Sequence, residues 1–262
     1  MRRDIFEEII RLRRERASAA LATVVKTRGS TPAKVPARMI VLADGVTIGT
    51  IGGGCVEADV ITAARHVMDT GSPTTLSFRL SGEEAERTGI ACGGTLEVMI
   101  EPLEEPRVII VGAGHVGQAT ARLAHLAGFQ VTVVDDRPDF ANAERFPEAD
   151  EIVVCAFDEL AENVRIGRRA FILSMTRGHA QDLQVLRWAV GTPAAYVGVL
   201  GSRAKRLAFM KDLEAQGVPE EVRTAVHMPV GMDIGAETVE EIAIAIVAEL
   251  IAFRRRRSPT HA

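Results

Sequence analysis

The 262-residue chain lacks the features that would assign it to several special classes of protein. It has only three cysteines, an odd and widely spaced set that predicts no disulfide framework and favours a reducing, cytoplasmic setting. No stretch approaches the roughly 18 uninterrupted apolar residues that a membrane-spanning helix needs. The first ten residues, MRRDIFEEII, have no apolar signal-peptide core. We therefore expect neither secretion nor membrane insertion.

An excess of charge of one sign is also absent. The formal net charge is −4, and without a diffuse basic field we expect no nucleic-acid partner. The cysteines and histidines have no zinc-ligand spacing, and no GxSxG motif of a nucleophilic serine is present. The chain has 47% hydrophobic and 25% charged residues, which is typical of a globular protein with a substantial core.

The pattern of predicted elements changes once along the chain. Strand patterns dominate the first hundred residues, whereas strands alternate with helices from residue 107 onwards. The charged, proline-bracketed segment PLEEP (102–106) lies between the two patterns. We therefore predict two domains, residues 1–104 and 105–262, of the α/β class. The first is a mixed α/β domain and the second is Rossmann-like, with a parallel sheet covered on both faces.

The most informative segment begins with the strand RVIIV, which leads into a glycine turn and a helix. Gly112 permits the tight turn, Gly114 lets the backbone approach a diphosphate, and Gly117 lets the helix pack closely on the strand. The helix dipole there favours an anion. Asp135, 23 residues after Gly112, and its neighbour Asp136 follow the next strand, where a carboxylate would hold a ribose hydroxyl. This favours NAD over NADP as a candidate ligand.

Other polar side chains are predicted close to the same edge of the sheet. His115 lies inside the glycine turn, either in contact with a phosphate or as a polar first residue of the helix. The loop GSRAKR (201–206) follows a later parallel strand, so it should open at the same edge. Its Arg203 and Lys205 form a candidate anion clamp, and solvated helix residues are the alternative.

Two cysteines of the first domain lie among glycines. Gly53 and Gly54 precede Cys55 at the predicted start of a helix, where the dipole favours a thiolate. Glu57 follows in the first turn as a candidate acid or base, and Cys92 lies in a second glycine loop. The two thiols would suit one soft metal or sulfur site, and simple tight turns are the alternative.

Seven motifs, in this order, resemble signatures of the XdhC/CoxI family of xanthine dehydrogenase accessory proteins. They are GTIGGGCVE (49–57), ACGGTLEVMIEP (91–102), VGAGHVGQ (111–118), VVDDRPDFAN (133–142), TRGHAQD (176–182), GSRAKR (201–206) and PVGMDIGAETVEEIA (229–243). The motifs are spread over nearly the whole chain, and the series is far more specific than any single motif.

This resemblance implies an N-terminal XdhC/CoxI-type domain, a C-terminal Rossmann-like domain and a role in maturing molybdenum hydroxylases. Such an accessory protein, rather than a stand-alone enzyme, binds the molybdenum cofactor (molybdopterin, in mononucleotide or dinucleotide form). It assists sulfuration by a cysteine desulfurase and delivers the cofactor to an apo-enzyme such as xanthine dehydrogenase. The candidate cofactor residues carried over are Cys55, Cys92, Gly112, Gly114, Gly117, Arg203 and Lys205, with both thiols on the molybdenum side.

Two further hypotheses remain open on the sequence. An NAD-dependent oxidoreductase would use the GAGHVG turn and Asp135, although no acid–base pair for hydride transfer stands out beside the turn. Alternatively, the Rossmann domain is only a scaffold in a sensing or interaction module. The apolar C-terminal helix from about Thr238 would then support a homodimer.

Overall fold

A computed structural model describes residues 4–15, 17–80 and 93–256. The chain divides into two compact units, one that runs to Glu104 and one from Glu105 to Arg256. Each unit has its own sheet, antiparallel in the first and parallel in the second. The predicted α/β class is therefore confirmed. Within the described ranges, every helix is too short or too polar to cross a bilayer.

Five antiparallel strands form the sheet of the N-terminal unit in the order β3-β2-β1-β5-β4. Successive side chains along a strand point to opposite faces of the sheet, and buried apolar residues lie on both faces, with one helix packed on each. The strands are β1 Ala19–Arg28, β2 Arg38–Leu42, β3 Thr47–Gly49, β4 Thr74–Arg79 and β5 Thr95–Pro102. The helices are Ile5–Glu15 and Gly54–Thr70.

Helix Gly54–Thr70 covers one face because its apolar residues recur at helical spacing. Val56, Val60, Ala64 and Val67 are all fully buried and belong to one core cluster with the sheet. The helix ends at Gly71, whose φ of 74° is the left-handed conformation that glycine adopts at low cost. This packing fixes the position of the GGG loop that precedes the helix.

Six parallel strands form the sheet of the C-terminal unit in the order β11-β10-β9-β6-β7-β8. The strands are β6 Arg107–Val111, β7 Gln130–Asp135, β8 Glu151–Val154, β9 Ala170–Ser174, β10 Tyr196–Val199 and β11 Val226–His227. The helices are His115–Leu126, Leu160–Asn163, His179–Ala189, Arg203–Ala215, Glu220–Thr224 and Val239–Arg256. The sequence analysis did not predict β11 or the two shortest helices.

The strand order reverses direction at the centre of this sheet. From β6 the chain adds β7 and β8 on one side, then crosses to add β9, β10 and β11 on the other. This is the strand order of doubly wound dinucleotide-binding folds, which bind ligands in the crevice between the carboxyl ends of the two central strands. Here those ends are Val111 of β6 and Ser174 of β9, which pair in register.

The last helix is anchored at its start and along its length. Thr238 and Glu241 form a capping box: the Thr238 N–H donates to Glu241 at 2.9 Å, and the Glu241 N–H donates to the Thr238 hydroxyl at 3.3 Å. Ala243, Ile246 and Leu250 are buried within the core of their own unit. The long apolar surface noted in the sequence is therefore largely covered without a second chain.

Candidate functional site

Two glycines of the turn after β6 are explained by the fold itself. Gly112 has a φ of 119°, and a Cβ there would lie 2.2 Å from the carbonyl oxygen of Met175. A Cβ at Gly117 would lie 2.2 Å from the carbonyl oxygen of Gly112. No real Cβ tolerates either distance, so any side chain would push the helix or the neighbouring loop away. Glycine is therefore required at both positions, because only the absence of a side chain lets the turn and its helix pack this closely, as the motif predicts.

Gly114 differs from both, because the fold does not require glycine at this position. Its φ of −73° suits any residue, and a Cβ would meet no atom within 4 Å. Among the described residues, no side chain caps the N-terminus of helix His115–Leu126, and His115 is exposed there. An open surface above free backbone N–H groups is a suitable position for a phosphate.

Asp135 at the end of β7 faces into the protein. Its side chain is 1% exposed, and Oδ2 accepts a hydrogen bond from the Ala113 N–H at 2.8 Å. The Arg137 guanidinium binds both oxygens, from Nε at 2.8 Å and from Nη2 at 3.0 Å. Burial would raise the pKa of the Asp135 carboxyl, but these charge-assisted bonds outweigh burial and hold the pKa below its ordinary value. The carboxylate is thus a brace for the glycine turn.

Asp136 is also engaged. Arg177, in the loop after β9, donates to it from two nitrogens, at 3.2 Å and 2.9 Å. A ribose bound at this edge would have to displace one of these bidentate ion pairs. The two carboxylates predicted to hold a ribose therefore hold the loops after β7 and β9 in place.

The carboxyl end of β9 is organised by Asp182, which is buried in the first turn of helix His179–Ala189. Its Oδ1 accepts from the Ser174 hydroxyl at 2.8 Å and from the Thr176 N–H and hydroxyl at 2.9 and 2.7 Å. Its Oδ2 forms an ion pair with the Lys205 ammonium. One buried carboxylate thus links the ends of two strands.

The two predicted clamp residues of the GSRAKR loop, Arg203 and Lys205, have different surroundings. Lys205 also donates to the carbonyl oxygen of Leu200 at 3.2 Å. Its Cδ lies so close to Gly201 that a Cβ added to that glycine would be only 2.7 Å away. Arg203 is 90% exposed, and its guanidinium is 4.0 Å from Asp233. The ammonium of Lys205 is therefore largely neutralised, whereas Arg203 is open to solvent.

The GGG loop of the N-terminal unit leads to an exposed thiol. Gly53 and Gly54 have positive φ values of 80° and 66°, and a Cβ at Gly53 would meet nothing within 4 Å. Cys55 is exposed in the first turn of its helix, as predicted. Glu57 accepts hydrogen bonds from the Thr50 hydroxyl and from two backbone N–H groups of the loop.

These bonds give Glu57 a structural role. Partial burial would raise the pKa of its carboxyl, but the hydrogen bonds from Thr50, Ile51 and Gly53 outweigh burial and lower the pKa. A carboxylate with such a stabilised charge is a weak base, so the proposed acid–base role has no support in this geometry. Its observed role is to hold the bare backbone of the loop.

The second predicted thiol, Cys92, lies outside the described residues. In the described ranges, no group of three or more His, Cys, Asp or Glu side chains is arranged to hold a metal ion. Cys155 is buried beside β8, and burial raises the pKa of its thiol, so this cysteine is not a reactive thiolate.

Sequence reasoning missed the residues that complete the edge of the sheet after β7. Arg137 lies 3.6 Å from the centre of the Phe140 ring, and Arg145 lies 4.8 Å from the same ring. The sequence Asp135-Asp136-Arg137 indicates an ion pair, but it does not show which of the two acids the arginine binds. Asp182 is the last residue of the TRGHAQD motif, but the motif does not show which groups it binds, and Arg145 gave no signal.

Two sequence profiles match the chain, one in each unit. The profile described as the XdhC Rossmann domain matches residues 108–250, and the profile described as the XdhC and CoxI family matches residues 12–79. Together they cover most of both structural units.

Individual relatives agree with the profiles. The chain is 37% identical over 96% of its length to the uncharacterized protein YqeB of Escherichia coli K12, but spans only 46% of that protein. It is 22% identical to the molybdenum cofactor insertion chaperone PaoD of the same organism, covering 90% of this chain and 83% of PaoD.

A solved structure has the same architecture along the whole chain. A crystal structure described as a xanthine dehydrogenase from Bacillus halodurans superposes with a TM-score of 0.54 and 25% identity. The match covers 98% of this chain and 97% of the other. With the glycine turn, the strand order and both profiles in agreement, the chain belongs to the XdhC and CoxI family.

Proposed function

We propose that this chain binds the molybdenum cofactor as its cargo and inserts it into an apo molybdenum hydroxylase of the xanthine dehydrogenase type. The observation that supports this most directly is the open surface at Gly114, where the fold does not require glycine and the helix N-terminus is uncapped. Molybdopterin carries a phosphate, and its dinucleotide forms carry a diphosphate, which such a surface would bind. The name of the relative PaoD supports the same role.

The molybdenum end of the cofactor would need a different kind of ligand from its phosphate end. Cys55 is an exposed thiol beside bare glycine backbone, which suits a thiophilic metal centre. We propose that it protects the molybdenum side and leaves the cofactor accessible to a cysteine desulfurase for sulfuration. The proposed setting is cytoplasmic, where the thiol remains reduced.

An NAD-dependent oxidoreductase is the competing function, favoured by the strand order and the glycine turn. The ion pairs of Asp135 and Asp136 count against it, because neither carboxylate is free for a ribose. Titration of the purified protein with NADH, followed by cofactor fluorescence, discriminates the two. Saturable binding at micromolar NADH would favour the oxidoreductase.

The proposed homodimer needs a surface other than the core-facing side of helix Val239–Arg256. That side is covered by the core of its own unit, including Ile246 and Leu250. Size-exclusion chromatography with light scattering measures the oligomeric state directly.

The test of the cargo role uses protein purified from a molybdenum-replete host. Mass spectrometry of the released small molecules should find molybdopterin or a dinucleotide form, and the loaded protein should activate an apo hydroxylase in vitro. Gly114→Ala should weaken retention about tenfold, or ~1.4 kcal/mol, because the methyl group occupies the space of the phosphate. Gly191→Ala, an exposed glycine far from the turn in sequence, is the matched control.

The thiol is tested separately. Cys55→Ser should lower the amount of bound molybdenum, whereas Ala58→Ser, an exposed position on the same helix, should leave it unchanged. Wild-type protein that carries no pterin and activates no hydroxylase would refute the proposed function. Full molybdenum retention in Cys55→Ser would remove only the role of the thiol.

A further inference from the structure

Arg145 is tied to the glycine turn although it lies far from it in the sequence. Its Nη2 donates to the carbonyl oxygen of Ala113 at 3.1 Å, next to Gly114. Its own carbonyl oxygen accepts from the side-chain amide of Gln118 at 2.8 Å, on the helix that the turn opens. The guanidinium and the backbone of Arg145 are therefore both anchored to the predicted phosphate position.

The charge of Arg145 is not compensated, in contrast to the two other arginines at this edge. Arg137 binds Asp135 and Arg177 binds Asp136, each through two nitrogens. No carboxylate of the described residues lies within 4.0 Å of the Arg145 guanidinium, not even Glu148 three positions later. The cluster of three arginines and two aspartates therefore has a formal charge of about +1.

One donor of Arg145 is also left without a partner. Its Nε is buried and forms no hydrogen bond in the described part of the chain. Buried donors of native proteins are nearly always satisfied, so an unpaired one on a charged group points to a missing acceptor. An anion bound to the Arg145 guanidinium would also neutralise the extra positive charge.

The guanidinium is oriented before any ligand arrives. Two arginines contact the Phe140 ring, Arg137 at 3.6 Å and Arg145 at 4.8 Å from the ring centre. The bond to Ala113 fixes a second point. A side chain held in this way loses little entropy on binding, which favours affinity for an anion.

We propose that Arg145 is a phosphate-binding residue of the glycine turn and supplies the side-chain charge that the bare turn lacks. The ligand class is a phosphate monoester or a diphosphate, bound jointly by the helix N-terminus and the Arg145 guanidinium. The inference rests on the proposed function in placing a phosphate at Gly114. It adds a residue that the glycine motif does not contain.

The test measures binding of inorganic pyrophosphate to the full chain by isothermal titration calorimetry at low ionic strength. Arg145→Met should bind about 10- to 100-fold more weakly, the usual effect of losing a charge-assisted hydrogen bond. Arg145→Lys keeps the positive charge but lacks the planar guanidinium fork, which can donate two parallel hydrogen bonds, and should give an intermediate affinity. Arg122→Met removes an exposed arginine from helix His115–Leu126 and is the control.

The outcomes separate this inference from the cargo role. Equal pyrophosphate binding by wild type, Arg145→Met and Arg122→Met overturns the role of Arg145, as does a wild type that binds no pyrophosphate. Weaker binding in Arg145→Met alone supports it, even if no molybdopterin is ever found on the protein. If Arg145→Met fails to fold, as judged by its circular dichroism, Arg145→Lys decides: wild-type affinity in that variant refutes the role of the fork.

Discussion

Replacing Asp135 by Asn separates a brace for the glycine turn from a ligand-binding carboxylate. The substitution removes the charge that faces the Arg137 guanidinium and leaves one oxygen where two accept hydrogen bonds. Breaking a buried ion pair by removing one partner typically costs about 3–5 kcal/mol. Because Arg137 is partly exposed, we expect a loss of ~3 kcal/mol in the free energy of unfolding. That is a large part of the ~5–15 kcal/mol that stabilises a typical domain.

Urea unfolding followed by tryptophan fluorescence measures this loss. Trp188 is the only tryptophan of the chain and lies in helix His179–Ala189, so its signal reports on the C-terminal unit. Asp139→Asn, at an exposed position in the same loop, should change stability by less than ~0.5 kcal/mol. A loss below ~1 kcal/mol in Asp135→Asn, together with weaker nucleotide binding, would refute the brace and restore the ribose-binding role.

The pH dependence of the free energy of unfolding tests the Asp135 carboxylate independently. The folded-state pKa of Asp135 is lowered, so its contribution to stability is present above the unfolded pKa of about 3.8. That contribution is lost as the pH falls below this value towards the folded pKa. Asp135→Asn should therefore flatten the acid side of the stability curve, and an unchanged curve would contradict the assignment.

Three further results are expected. Gly112→Ala should yield insoluble or unfolded protein in an expression and circular dichroism assay, since its Cβ would lie 2.2 Å from the Met175 oxygen; a soluble, fully folded variant would contradict this. Burial and the charge of Glu249 raise the pKa of Tyr196, so stability should fall as the pH rises above about 10 in urea titrations, and Tyr196→Phe should remove that fall. Lys205→Met leaves Asp182 as an unpaired buried charge and should cost ~3 kcal/mol in urea unfolding, whereas a neutral effect would show that the pair is dispensable.

The glycine turn was predictable from the sequence because the spacing of its glycines is a local pattern. Gly117 is required by a contact within one strand–turn–helix unit, whereas the contact that requires Gly112 comes from Met175 after β9 and carries no signal near the turn. The capping box at Thr238 was predictable for the same reason, since both partners lie three residues apart. An element whose contacts lie between sequence neighbours can therefore be predicted from the sequence.

The roles of the charged residues were not predictable, because each depends on a partner far away in sequence. An aspartate at the end of β7 can bind a ribose or the backbone of the turn, and only the fold reveals the bond to Ala113. The sequence predicts Lys205 as part of an anion clamp, but in the fold its ammonium forms an ion pair with the buried Asp182. The strand β11 has only two residues, too few for any periodic pattern.

The order of strands has a consequence for when a ligand can bind to the crevice. β6 carries the glycine turn, but its neighbour on the other side of the crevice, β9, follows only about sixty positions later in the chain. Arg177, which closes the edge by binding Asp136, comes later still. During synthesis the crevice therefore has one side only until about half of the second unit has been made. A nascent chain that ends before β9 contains the glycine turn but not the complete crevice, so the ligand that we propose could bind there only after β9 has been synthesised.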